Sequence, residues 1–136
     1  MIQPKLLVVD DQQTILTVLR RVAEEIGYRV ETTHDPKHFK NLVSSFAPDL
    51  ILIDVIMPEE DGLQLLQYLA AQKVTTSVIV ISDYGSHLLN TVAKMGSALG
   101  LNVRAVQKPM GPSGWRDLLA FAKSGTSDKE AGATAG

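Results

Sequence analysis

Three short hydrophobic segments of this chain end directly in charged residues, and this arrangement constrains the fold more than any other feature. Residues 6–9 run into Asp10 and Asp11, residues 50–53 run into Asp54, and residues 103–107 run into Lys108. In a parallel sheet the carboxyl ends of all strands lie at one edge, where open α/β folds bind their ligands. Carboxylates that are packed together repel one another unless a divalent cation neutralises them. The pattern therefore predicts a metal-assisted phosphoryl site built from three acids and one amine.

Apolar segments alternate with helical patterns five times along the chain. The first, third and fourth segments are apolar almost throughout, which is typical of strands covered on both faces. The second is polar and indicates an edge strand. The predicted strands are residues 5–9, 29–33, 49–53, 77–81 and 103–107. The alternation predicts a (βα)5 architecture, a doubly wound five-stranded parallel sheet with helices on both faces.

Composition limits the classes of function that the chain can serve. Its 136 residues, 45% apolar and 21% charged, suit one globular domain. A net charge of −2 without any basic run argues against binding to nucleic acid or to a membrane surface. The absence of cysteine excludes disulfides, thiolate metal sites and cysteine nucleophiles. No signal-peptide pattern or membrane-spanning apolar run is visible, so we expect a cytoplasmic location.

The composition changes near the carboxyl end. From Ser124 onward the chain contains no large apolar residue. Such a segment cannot compensate for the entropy lost when it becomes ordered. We therefore predict a domain over residues 1–123, followed by a disordered tail or the start of a linker over residues 124–136.

Each of the acids has a structural as well as a functional interpretation. A loop aspartate after a strand often caps the next helix, but Asp61 is better placed than Asp54 for that cap. Asp11 could cap the helix that begins near Gln12, yet one cap explains one acid and not two. Two adjacent acids that face a third suit Mg²⁺, which takes one or two carboxylates and keeps several waters. The acids therefore favour a metal site.

Lys108 and Ser82 complete the predicted site. A lysine that faces three aspartates becomes a counter-charge and can hold a phosphoryl oxygen. Ser82, at the end of the fourth strand, could donate its hydroxyl to another such oxygen. Pro109 is expected to hold the turn after Lys108 rigid, as prolines at such turns often do through a cis peptide bond.

Taken together, these motifs resemble the bacterial two-component response-regulator receiver domain over about residues 4–123. The motifs are Val9-Asp10-Asp11, Asp54 with Met57-Pro58 and Asp61-Gly62, Ser82 after residues 78–81, and Lys108-Pro109. The resemblance implies a flavodoxin-like receiver fold with strand order 2-1-3-4-5. It also implies a phosphoprotein that switches a protein-interaction surface in signal transduction and turns over no external substrate.

The resemblance implies a role for each residue of the site. Asp54 would accept a phosphoryl group from a sensor histidine kinase, a phosphotransfer protein or a small phosphodonor. The implied Mg²⁺ ligands are Asp11, Asp54 and the backbone carbonyl of Ile56, with Asp10 assisting through water. Ser82 and Lys108 would hold the phosphoryl oxygens. Output would pass through the fourth helix, fifth strand and fifth helix to an output domain or partner protein, and dimerisation through this face is left open.

The chain departs from the family pattern at three places. Asp83 follows Ser82 where a small residue is usual, and it would repel an anion and alter the preferred donor. Ala105 stands where receivers place an aromatic residue whose rotation reports phosphorylation. The spacing from Ser82 to Lys108 is also longer than usual. Residues 96–103 are similar to receivers fused to EAL-type cyclic-di-GMP phosphodiesterases, which agrees with a linker-like tail.

Three other functions compete with an active receiver. A degenerate receiver could act as a phosphorylation-independent protein-binding module, which Asp83 and Ala105 favour and the complete acid, serine and lysine set opposes. An aspartyl phosphatase needs a second acid two residues after the nucleophile, where this chain has Ile56. A flavin carrier of this fold class needs a phosphate loop after the first strand, where Asp10 and Asp11 would repel phosphate.

Overall fold

The fold is described from a computed structural model that covers residues 3–57, 61–83, 86–109 and 111–130. Pro58 of the predicted motif and residues 131–136 of the predicted tail lie outside the described residues. Five strands and five helices alternate along the described chain. They are β1 Lys5–Val9, α1 Gln13–Glu25, β2 Arg29–Thr33, α2 Pro36–Ser45, β3 Leu50–Asp54, α3 Gly62–Ala71, β4 Ser77–Ser82, α4 Ser86–Ala98, β5 Asn102–Gln107 and α5 Gly111–Glu130.

The five strands form one parallel sheet in the order β2-β1-β3-β4-β5. The predicted architecture and strand order are therefore confirmed. The register aligns the carboxyl ends, since Asp54 pairs with Ile81 and Ser82 pairs with Gln107. Asp54 and Ser82 are the last residues of their strands. The strand ends that carry the charged residues consequently meet at a single edge of the sheet.

Two hydrophobic clusters cover the two faces of the sheet, because successive strand residues point to opposite sides. In β1, Leu7 and Val9 belong to one cluster, and Leu6 and Val8 belong to the other. Every residue of β3 is buried, whereas β2 and β5 at the two edges are partly exposed. The central strands thus hold their terminal residues in a fixed, buried position.

Local sequence signals define the helix ends near the site. Asp61 accepts a hydrogen bond from Gln64 N at 2.9 Å, and Gln64 Oε1 accepts one from Asp61 N at 2.9 Å, which forms a capping box. Gly62 begins α3, and a Cβ there would lie 2.8 Å from Val55 Cα. Only glycine allows the start of α3 to approach the end of β3 this closely.

Polar contacts hold α5 against the end of α1. The buried Tyr28 hydroxyl donates to the Leu119 carbonyl oxygen at 2.9 Å. Lys123 Nζ donates to the Ile26 carbonyl oxygen at 2.6 Å, where it satisfies a carbonyl at the end of α1. These contacts place α5 firmly beside the second hydrophobic cluster, which contains Leu119 and Trp115.

Three details differ from the expectations. Helix α5 runs on to Glu130 and does not end near residue 123, so residues 124–130 are helical; where the domain ends stays a prediction. No cis peptide bond occurs among the described residues. The Lys108–Pro109 bond is therefore trans, and the expected cis bond is wrong. Gln12, not Asp11, is the N-cap of α1, and it makes no side-chain capping bond.

Among the described residues, no helix is long and apolar enough to cross a membrane.

Candidate functional site

Asp54 is a buried carboxylate at the carboxyl end of the central strand β3. The residue is 4% exposed, and its Oδ1 accepts a hydrogen bond from Ile56 N at 3.2 Å. Val55, which follows it, is bonded to the neighbouring strand end through Val55 N and the Ile81 carbonyl oxygen at 2.9 Å. The backbone on both sides of the site therefore fixes the direction in which the carboxylate points.

Asp10 and Asp11 follow β1 but lie in different environments. Asp10 is 0% exposed, and its Oδ1 accepts a hydrogen bond from Gln12 N at 2.8 Å. Its buried Oδ2 lies 2.9 Å from the ammonium group of Lys108. Asp11 is exposed. Its interpretation as a helix cap is excluded by the cap at Gln12, so its position next to Asp10 and Asp54 has no structural explanation.

The three aspartates form a group with the chemistry of a site for a hard cation. One carboxylate oxygen from each of Asp10, Asp11 and Asp54 lies within 4.8 Å of the other two. Asp10 and Asp54 are buried, and carboxylates this close together repel one another unless positive charge offsets them. An all-oxygen donor set suits Mg²⁺ rather than a thiophilic metal. These residues therefore fit the predicted divalent cation.

Lys108 is the positive charge of the site and is itself buried. Its side chain is 3% exposed, and its Nζ lies 2.9 Å from Asp10 Oδ2 and 3.6 Å from Asp54 Oδ2. Lys108 N donates to the Ser82 carbonyl oxygen at 2.9 Å, which ties the end of β5 to the end of β4. Ser82 is 1% exposed. The structure thus brings the side chains of Asp10, Asp11, Asp54 and Lys108 together at the edge of the sheet where Ser82 ends β4.

Burial and mutual repulsion change the protonation of these groups. Burial and the negative charge of Asp10 raise the pKa of Asp54 to about 7, although Lys108 and the Ile56 N–H oppose the shift. Burial also raises the pKa of Asp10 above its ordinary value. Burial alone would lower the pKa of Lys108, but the hydrogen bond and charge of Asp10 and the charge of Asp54 raise it. Perturbed carboxylates that surround a buried amine are typical of functional sites.

Asp83 belongs to the same cluster, in a way that sequence reasoning did not predict. Its Oδ2 lies 3.9 Å from Lys108 Nζ, and its side chain is 52% exposed. The sequence placed Asp83 after Ser82 and predicted repulsion of an anion, but not an ion pair with Lys108. The signal was available in the sequence, because Asp83 and Lys108 both follow the ends of neighbouring strands.

Ala105 lies on β5, where the family pattern has an aromatic side chain. It pairs with Val80 of β4 and is partly buried against the first hydrophobic cluster. Its methyl group has no rotamers that could report a change at Ser82. The position where the family has an aromatic residue therefore lies in β5, beside the site, and here carries only a methyl group.

Comparison with known proteins agrees with this geometry. The family described as "Response regulator receiver domain" matches residues 6–118. The chain is 35% identical over 78 residues to the alkaline phosphatase synthesis transcriptional regulatory protein PhoP of Bacillus subtilis (strain 168), a match that covers 57% of this chain and 32% of that protein. It is 33% identical over 78 residues to response regulator MprA of Mycobacterium tuberculosis (strain ATCC 25618 / H37Rv), covering 57% of this chain and 34% of that protein. The chain thus matches only about a third of the length of these relatives.

Solved structures show the same similarity over more of the chain. A response regulator from Colwellia psychrerythraea is 29% identical, with a TM-score of 0.76 and coverage of 93% of this chain and 98% of that one. The receiver domain of a Francisella response regulator is 28% identical, with a TM-score of 0.73 and coverage of 90% and 98%. The matched region contains the three aspartates, Ser82 and Lys108. This chain therefore belongs to the response regulator receiver domain family of two-component signalling proteins.

Proposed function

We propose that this receiver accepts a phosphoryl group on Asp54 from a phosphorylated histidine of a sensor kinase or phosphotransfer protein, or from a small phosphodonor. One observation carries the proposal. The buried Asp54 carboxylate lies 3.6 Å from Lys108 Nζ and has an oxygen within 4.8 Å of oxygens from Asp10 and Asp11. A nucleophile beside a fixed positive charge and a cation-binding group suits phosphoryl transfer, which depends on positioning and electrostatic stabilisation.

The chemistry of the step follows from these positions. An oxygen of Asp54 forms a bond to phosphorus while the bond from phosphorus to the donor nitrogen or oxygen breaks. The leaving group departs with that electron pair and keeps or takes up a proton as its basicity requires. The Ile56 N–H holds Oδ1 of Asp54, and Lys108 Nζ would hold an oxygen of the transferred group. The step consumes one phosphodonor and no water. Because the phosphoryl group stays on Asp54, we do not expect repeated turnover of an external substrate.

A divalent cation belongs to this proposal as a bound cofactor. Asp10, Asp11, Asp54 and the Ile56 carbonyl would hold Mg²⁺, directly or through water. The ion would supply positive charge that offsets the carboxylates and the phosphoryl oxygens. Without that charge, the pKa of Asp54 at about 7 leaves part of the population protonated at neutral pH, and a protonated carboxyl is a poor nucleophile.

The output of the receiver would be a shift between two conformations. New contacts from the phosphoryl oxygens to Ser82 and Lys108 would bias that equilibrium. On the proposed output face, Phe121 of α5 is 63% exposed and Arg104 of β5 lies over its ring at 5.5 Å. An exposed aromatic residue beside an arginine is typical of a protein-binding surface. We further propose that the protein works in the cytoplasm, where histidine kinases display their phosphohistidine.

The experiment is intact mass spectrometry after incubation with Mg²⁺ and either phosphoramidate or acetyl phosphate. We expect one added phosphoryl group, lost in Asp54→Asn. The matched control is Asp35→Asn, because asparagine caps a helix as well as aspartate does and Asp35 caps α2. An adduct that survives in Asp54→Asn, or no adduct with either donor, would contradict the proposal.

Ala105 and Asp83 favour one alternative, a phosphorylation-independent binding module. Ala105 offers no aromatic rotation, and Asp83 already contacts Lys108. Such a module would form no adduct, and Mg²⁺ with beryllofluoride would leave the fluorescence of buried Trp115 unchanged. The resemblance of residues 96–103 to receivers fused to EAL-type phosphodiesterases stays a prediction.

A further inference from the structure

Within the described part of the chain, Lys108 has three carboxylate neighbours, of which one faces solvent. Its Nζ lies 2.9 Å from Asp10 Oδ2, 3.6 Å from Asp54 Oδ2 and 3.9 Å from Asp83 Oδ2. The side chains of Asp10 and Asp54 are 0% and 6% exposed, whereas that of Asp83 is 52% exposed. The ammonium group itself is covered, since the Lys108 side chain is only 3% exposed. Asp83 therefore marks the side from which a solute can approach Lys108.

We propose that Asp83 determines which phosphodonors this receiver uses, by disfavouring donors that carry a second negative charge. This inference rests on the proposed phosphorylation of Asp54 and concerns the substrate class of that same site. The preferred donors are those whose phosphoryl group arrives with partial charge compensation, such as a protonated phosphoramidate or a phosphohistidine in a protein. The disfavoured donors are small dianionic acyl phosphates.

The geometry explains why Asp83 would discriminate between phosphodonors by their charge rather than by their size. Asp54 and Asp83 both contact Lys108 Nζ, so the separation of their oxygens cannot exceed the sum of the two contact distances. A phosphorus atom that approaches Asp54 therefore also comes close to the negative charge of Asp83. The charge of Asp83 also partly neutralises Lys108, the group that would otherwise attract the incoming phosphoryl oxygens.

The size of the effect follows from Coulomb's law at such a separation. One additional donor charge about 7 Å from an exposed carboxylate changes a rate about three- to tenfold in a medium close to water. Because Asp83 is half exposed, ions in solution screen the interaction, and the discrimination should weaken as salt is added. A steric barrier would not respond to salt in this way.

The two donors differ in charge but require the same bond to form at Asp54. With acetyl phosphate, a dianion at neutral pH, the bond from phosphorus to the acyl oxygen breaks and acetate leaves with the electron pair. With phosphoramidate, a zwitterion of one net negative charge, the phosphorus–nitrogen bond breaks and ammonia leaves. Their relative rates therefore report how the site responds to donor charge.

The test measures second-order rate constants of phosphorylation by intact mass, with both donors and Mg²⁺, at low and high salt. The variant is Asp83→Asn, which removes the charge and keeps the shape. The matched controls are Asp83→Glu, which keeps the charge, and Glu24→Gln. Glu24 lies in an exposed ion pair with Arg20 near the end of α1, away from the edge of the sheet that carries the site. Its replacement by Gln removes the same unit of charge as Asp83→Asn does.

We expect Asp83→Asn to accelerate both donors at low salt, and to accelerate acetyl phosphate about three- to tenfold more than phosphoramidate. The effect of Asp83→Asn on the ratio of the two rates should be smaller at high salt. Neither control should change that ratio. Equal acceleration of both donors, or no change with either, would overturn this inference and leave the proposed function intact. No adduct in any protein would instead overturn the proposed function, and this inference with it.

Discussion

Lys108 Nζ lies closer to Asp10 than to Asp54, at 2.9 Å against 3.6 Å from the respective Oδ2 atoms. The lysine of this receiver is therefore held mainly by an acid of the proposed cation site, and not by the proposed phosphoryl acceptor. A cation bound by Asp10 would weaken that hold and leave the ammonium group available to a phosphoryl oxygen. The ion pair thus couples cation binding to the state of Lys108.

Replacement of Lys108 should destabilise the protein at neutral pH. Lys108→Met leaves the buried carboxylates of Asp10 and Asp54 without their counter-charge, and the expected loss is about 3–5 kcal/mol in the free energy of unfolding. Urea unfolding followed by Trp115 fluorescence measures it, with exposed Lys94 changed to Gln as the control, expected to cost less than about 0.5 kcal/mol. Equal stability of the two variants would show that the buried acids do not need Lys108.

The contribution of Asp54 to the stability of the metal-free protein should fall as the pH rises from about 4 to about 7. The folded-state pKa of Asp54 is about 7, against an ordinary value of 3.8. In this interval the folded state holds a proton that the unfolded state has released, so each rise in pH favours unfolding, by at most about 1.4 kcal/mol per pH unit. Below pH 3.8 this contribution is fully present, and above pH 7 it is lost.

Urea unfolding at several pH values in the presence of a chelator tests this dependence. Asp54→Asn has no carboxyl to titrate, so the difference between the two proteins isolates the contribution of Asp54. The variant should become the more stable protein as the pH approaches neutrality. A constant difference between them across the interval would contradict the raised pKa.

Mg²⁺ should stabilise the protein through the three aspartates. A ligand that binds only the folded state at about 100 times its Kd adds about 2.7 kcal/mol. Asp11→Asn should remove most of that gain with little effect on the metal-free protein, because Asp11 is exposed and is not the helix cap. The measurement is the Tm at increasing Mg²⁺, with Asp35→Asn as the control. A Tm gain retained in Asp11→Asn would exclude Asp11 as a ligand.

The buried hydroxyl of Tyr28 should contribute measurably to the stability of the α1–α5 contact. It donates to the Leu119 carbonyl oxygen at 2.9 Å, and Tyr28→Phe removes this buried hydrogen bond, at a cost of about 0.5–1.5 kcal/mol. Tyr68→Phe is the matched control, since its bond to the Lys40 carbonyl oxygen is longer, at 3.4 Å, and only partly buried. Equal costs in urea unfolding would contradict the prediction.

The sequence by itself determined the elements of the fold and the strand ends at which Asp54, Ser82 and Lys108 lie. Continuous apolar segments predicted the buried strands, and residue types at their ends predicted where Asp54, Ser82 and Lys108 would lie. These predictions succeeded because burial and strand direction are properties of short segments that the chain itself records. The helical structure of residues 124–130 was not predicted, because these residues lack the apolar period from which a helix can be predicted.

Only the tertiary structure decided how the charged groups share their contacts. The preference of Lys108 for Asp10 and the ion pair with Asp83 depend on distances between residues that are remote in sequence. Electrostatic energy varies with separation and with burial, and neither is fixed until the sheet has aligned its strand ends. For that reason the sequence named the residues of the site, while the packing of the sheet set their pKa values and their pairing.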